Sequence, residues 1–172
     1  MPDLTFNTKP GATIERKLLV LYLNTGEKMS PKWAPIGKRV EDSSVEMDWS
    51  EDSKTDIFGE VYTNVKKPVL TQTFDPYELD AGDAAHVKIW NQAIKDQDTA
   101  AVTSNDLLMV HLYAGTKDTA AFAERYDTCK VVPTKLGGSS TVDMSIEVTF
   151  GGKRTTGTAR MSDGSPTFNA DV

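Results

Sequence analysis

The side chains suited to chemistry are few and poorly spaced for it. His86, His111 and Cys129 are the only soft or borderline metal ligands in the chain. A catalytic zinc centre takes three protein ligands, and neither an HxxxH nor a CxxC spacing brings these together. His111, in "MVHLY", reads as a strand residue with one satisfied side, His86 as a helix-surface residue, and Cys129 as packing material in mid-strand. Paired carboxylates are the other possibility. Asp143 and Glu147 share a strand face, but four strand residues hold them about 13 Å apart, beyond the ~5 to 9.5 Å that two-carboxylate glycoside hydrolysis uses. GxSxG and SxxK nucleophile signatures are absent. "GGSS" and "GGK" read as turn glycines, since neither opens a helix in the spacing a phosphate loop requires. These patterns predict a chain that is not an enzyme, with no catalytic, cofactor-binding or metal-binding residues. Carboxylates distant in sequence could still meet in space.

What must position such residues is a mainly β domain. At 172 residues, with 38% hydrophobic and 26% charged residues, the chain is the size of one soluble globular domain. Its longest aliphatic run, Leu18 to Leu23, is too short to span a bilayer and reads as a buried strand, so no membrane association is expected. The N-terminal residues lack the features of a secretory signal, and a single cysteine suits a reducing compartment. A net charge of −6 and a pI near 4.9 argue against general affinity for nucleic-acid backbones.

Residues 1–16 and 162–172 lack periodicity and read as arms flanking a body at 17–161. In "KWAPIG", Pro35 favours a sheet edge or a bulge. "SVEMDW" alternates, with Val45, Met47 and Trp49 on one face, and "DIFGEVYTNV" reads as the next strand, which leaves "SEDSKT" as a loop between them. "PVLTQTFDP", "DLLMVHLY" and "AFAERYDTCKVVP" are further strands. One amphipathic helix is expected at about 83–96, capped by Asp80 or Asp83, with Val87, Trp90, Ala93 and Ile94 on its apolar stripe. "DTAAVTSN" reads as a polar linker. Trp33, Trp49 and Trp90 all fall on apolar faces, which points to core packing rather than to a carbohydrate platform.

A two-residue turn at Gly151-Gly152 would close a final hairpin in which facing residue numbers add to 303. That register opposes Val148 to Thr155, Ile146 to Gly157 and Met144 to Ala159 on a core face. Asp143 would then face Arg160 on a wet one, an acid–base pair worth about 0.2 to 1 kcal/mol.

"WSEDSKTDIFGEVYTNV", followed by "VLTQTFDPY", the helix "AHVKIWNQAI" and the closing "VDMSIEVTFGGKRTTGTA", resembles the major tail tube proteins of long-tailed bacteriophages, particularly those of Gram-positive hosts. The resemblance spans about residues 15–160 and rests on the order of elements. It implies a β-sandwich or half-barrel with one flanking α-helix, whose inner sheets join into a β-barrel in a hexameric ring, removing exposed strand edges. Rings would stack into a tube in the virion, assembled in the bacterial cytoplasm with tape-measure and tail-completion proteins, and DNA would pass through without specific binding. The resemblance assigns Ser50, Glu51, Asp52, Ser53, Lys54, Thr55 and Asp56 to a ring-stacking loop. It makes Asp143, Ser145, Glu147, Thr156 and Thr158 candidates for a negative lumen wall that repels phosphate. Two alternatives accompany it: a tube protein of a contractile injection or secretion particle, or a tail-end ring protein; and, more distantly, a carbohydrate-binding or hydrolytic β-sandwich.

Overall fold

The computed structural model describes residues 3–171. In chain order its strands are β1 (Leu19–Asn24), β2 (Trp33–Ile36), β3 (Val45–Asp48), β4 (Glu51–Thr55), β5 (Val61–Val65), β6 (Val69–Phe74), β7 (Asn105–Thr116), β8 (Ala120–Gly137), β9 (Asp143–Thr149), β10 (Arg154–Ser162) and β11 (Ser165–Ala170). Helices α1 (Ala84–Trp90) and α2 (Thr99–Val102) lie between β6 and β7. Nine strands form one antiparallel sheet that doubles back on itself, and β4 and β5 form a separate hairpin.

The doubling-back depends on β8, whose 18 residues serve two layers. Its first half carries the order β2-β1-β7-β8-β10-β11, and its second half the order β8-β9-β6-β3. Between the layers, Leu21, Leu23, Leu107 and Met109 meet Phe74, Met144, Ile146 and Val148, with Tyr77 and Ile89 closing one side. Burial of each such side chain contributes about 1.5–3 kcal/mol relative to exposure. A second cluster, Tyr22, Trp33, Leu108, Val110, Ala121, Ala123 and Ala159, occupies the other face of the larger layer. The fold is a β-sandwich with a flanking helical segment, and β2, with Pro35, stands at an edge.

Gly151-Gly152 is not a hairpin turn. Lys130 faces Thr149 and Tyr126 faces Arg154, so β9 and β10 run end to end along the same strand. Residues 127–129 of β8 oppose residues 150–153, four against three, and the glycines form a bulge. Gly152 takes φ +71°, and a Cβ there would collide with Asp127 Oδ1. The true turn of this long ribbon lies between Gly137 and Asp143. The expected pairs, including Asp143 with Arg160, are therefore not formed: Asp143 faces Gly137, and Arg160 faces Thr167.

Other expectations are corrected too. The C-terminal segment is strand β11, joined to β10 through Asp163-Gly164, both at positive φ. α1 begins where Asp83 Oδ1 accepts the Ala85 and His86 amides, and continues through a wider π turn to Lys95, within the expected 83–96. The polar linker contains α2, capped in the same way by Asp98. The buried side of α1 is Ala85, His86 and Ile89, whereas Val87 and Trp90 are substantially exposed. His86 is thus a core residue, 1% exposed, stacked on Tyr77 with ring centroids 3.6 Å apart. Trp33 is buried, but Trp49 is 49% exposed.

Candidate assembly interface

The segment read as a loop is a strand, and the segment read as the start of a strand is its turn. Ser50, at φ +26°, turns the chain out of β3, and β4 then pairs with β5 in the register Glu51–Val65, Asp52–Asn64, Ser53–Thr63, Lys54–Tyr62, Thr55–Val61. Alternation puts Glu51, Ser53, Thr55, Val61, Thr63 and Val65 on one face, and Asp52, Lys54, Tyr62 and Asn64 on the other. Ser53 and Thr63 hydroxyls meet at 2.8 Å across the strands, and Lys54 lies 3.4 Å from Asp52. Every residue of both strands is exposed.

Asp56 organises the tip. Its Oδ1 accepts the Phe58 and Glu60 amides at 2.8 and 2.9 Å, and its own amide donates to the Glu60 carbonyl. Gly59 takes φ +82° to complete the turn. The backbone thereby turns Ile57 and Phe58 outward, 93% and 84% exposed. A lone two-stranded hairpin is marginal in water, and this one presents apolar side chains to solvent at its end.

At the foot of the hairpin lies a cleft of about 670 Å³, lined by Met47, Trp49, Leu70, Tyr126 and Phe150 together with Lys67, Glu124 and Arg154. The SVEMDW face was expected to be half-buried, but Met47 and Trp49 stay open and form one wall of this cleft. On its floor, Glu124 accepts hydrogen bonds from Arg154 Nε (2.6 Å) and Tyr126 Oη (2.7 Å), and its Oε1 lies 2.9 Å from His111 Nε2. Burial raises the Glu124 pKa, but the bonds from His111, Arg154 and Tyr126 outweigh it and hold the carboxyl at about 2. His111, with Tyr113 on its other ring nitrogen, is satisfied as the sequence suggested.

The five candidate lumen residues do not share a face. Met144, Ile146 and Val148 point into the core, so Asp143, Ser145 and Glu147 lie on the outer side of the smaller layer. Thr156 faces Glu124 and Thr158 faces Phe122, on the opposite side of the ribbon. Nor is the outer side a purely acidic wall. Glu147 pairs with Lys130 at 2.7 Å, Lys135 pairs with Asp75, and Ser145, 1% exposed, donates to Asp75 at 2.7 Å. Cys129 is buried, and burial pushes its thiol up to about 12. The hairpin's register and the open cleft wall were missed in the sequence. Asp56 and Gly59, three residues apart, were the available turn signal.

Neither a family profile nor a curated protein matches this sequence. Solved structures share its fold. One is a chain of the sheath/tube terminator of an extracellular contractile injection system, PVC, in its extended state: TM-score 0.51, 11% identity, 86% of this chain and 99% of that one covered. Another is the anti-feeding prophage cap, a tube-terminating cap, with TM-score 0.51, 14% identity, and coverage of 89% and 96%.

Proposed function

We propose that this chain is a self-assembling structural subunit of a phage-like tube, acting as a ring at the tube's end. The observation that carries the reading is agreement in fold, over 86% and 89% of this chain, with two tube-ending proteins, nearly all of each being covered. In this reading copies close into a ring, six by the resemblance, through strand edges that a lone subunit leaves unpaired. The ring sits on a tube protein and meets a sheath. The role is structural rather than enzymatic: Glu124, the carboxylate lining the cleft at the hairpin's foot among the described residues, is held by three partners and stays ionised.

The second reading is the tube subunit itself, in a long-tailed phage whose lumen conducts DNA. The exposed β4–β5 hairpin favours it, since a repeating tube needs a contact made between every pair of rings. Negative-stain microscopy of concentrated protein separates the two. Discrete rings that stay single support the end-ring reading, open-ended tubes support the tube reading, and uniform monomers at every concentration reject both.

A further inference from the structure

We infer that the hairpin tip, Ile57-Phe58, seats in the Met47–Trp49–Leu70–Tyr126–Phe150 cleft of a second copy of this chain. The inference rests on the self-assembly reading and names the contact that carries it. Both halves of the joint are on the same subunit, an apolar knob and an apolar hole, each open. The chain cannot satisfy itself. The cleft lies at the hairpin's foot, beside Trp49 and Lys67, and five paired residues at about 3.3 Å each carry the tip some 16 Å away. Folding it back would break the β4–β5 ladder.

Charge fits the same occupant. Asp56 and Glu60 flank the knob, and it is Oδ1 of Asp56 that accepts both turn amides. At the cleft, Glu124 is neutralised by Arg154, while Lys67 is exposed and has no ion pair among the described residues. An acid-flanked apolar tip therefore meets an apolar hole with a free cation on its rim. Knob and hole are different surfaces, so copies that engage head to tail make a heterologous contact that closes into a ring or propagates along a stack, whereas a reciprocal exchange between two copies would close as a two-fold dimer.

Cysteine cross-linking tests this directly. Met47→Cys and Phe58→Cys both change residues more than half exposed, so the fold is retained, and the native Cys129 is buried and does not compete. When the two variants are mixed under mild oxidation at a concentration where the unmodified protein forms assemblies, a disulfide-linked mixed dimer is expected well above the Phe58→Cys with Ser53→Cys control. A yield no greater than the control overturns the proposal. Independently, Ile57→Ser/Phe58→Ser should raise the concentration for half-maximal assembly at least about tenfold, as loss of a central apolar anchor does. Glu60→Lys alone should also raise it, and adding Lys67→Glu should bring it back toward the starting value. If the unmodified protein assembles and these variants assemble equally well, the tip-in-cleft contact is wrong and the self-assembly reading stands. If the unmodified protein never assembles, both fall.

Discussion

His86 shows how a single side chain can set the acid limit of the fold. Its two ring nitrogens have no hydrogen-bond partner, and the nearby Asp83 carboxylate, 3.7 Å from Nδ1, serves the α1 cap and the Tyr77 hydroxyl. Burial lowers its pKa, with Asp83 and Asp80 pulling weakly the other way. The unfolded chain therefore takes up the proton first, and stability should fall as pH drops below about 6.5. The carboxylates held below their ordinary values, such as Asp75 and Glu124, act only at lower pH, so they contribute little between about pH 6.5 and 5. His86→Phe keeps the stack on Tyr77 and removes two unsatisfied buried nitrogens. We expect it to unfold at a nearly constant temperature across that interval and to be about 1 kcal/mol more stable at pH 7. A thermal melt series that falls equally in both proteins would show that another group titrates there.

At the scale of elements, the two β ribbons behave oppositely. The β4–β5 hairpin adds nothing to either apolar cluster, and the Lys66 amide meets the Ser50 carbonyl across its foot. Replacing residues 51–65 by Gly-Gly should therefore leave the melting temperature within about 2 °C while removing assembly; a large drop on calorimetry would mean that the hairpin supports the body. The bulge in the β9–β10 run is the reverse case. Gly152→Ala places a Cβ against Asp127 and Thr128 at positive φ and should cost about 3 kcal/mol in urea unfolding, with assembly following only through lost folding. These two elements also mark where sequence reading stops. The strand at Leu19 to Leu23, Pro35 at an edge rather than a bulge, Asp83 as one of two candidate caps and the packed Cys129 were legible because each signal is local. Gly151-Gly152 was not, since alternation on both sides of a glycine pair suits a hairpin turn and a bulge in one long strand equally well. Only the distant partner, β8, decides between them. β4 was not legible because a strand exposed on both faces carries no alternation, and Ile57-Phe58 imitated a strand because an exposed apolar pair at a turn reads in sequence like one that packs into a core.

For the whole molecule, charge and apolar contact pull assembly in different directions with salt, and their relative size decides the outcome. Each copy carries a net charge of −6, so bringing copies together meets long-range repulsion over many charges. The attraction between the acidic flanks of the tip and Lys67 involves one exposed cation, and such surface pairs contribute about 0.2–1 kcal/mol. Seating Ile57 and Phe58 is insensitive to moderate salt. Raising ionic strength from about 0.01 to 0.15 M shortens the screening length from about 30 to 8 Å, which removes most of the repulsion and only the smaller part of the attraction. Assembly measured by light scattering should thus begin at lower protein concentration in the saltier buffer, and Ile57→Ser/Phe58→Ser should flatten that response by lowering assembly at both ionic strengths. The opposite slope, with salt dispersing the assemblies, would mean that charge pairing at the rim outweighs the apolar knob. The source of the joint's strength would then lie in Asp56, Glu60 and Lys67 rather than in Ile57 and Phe58.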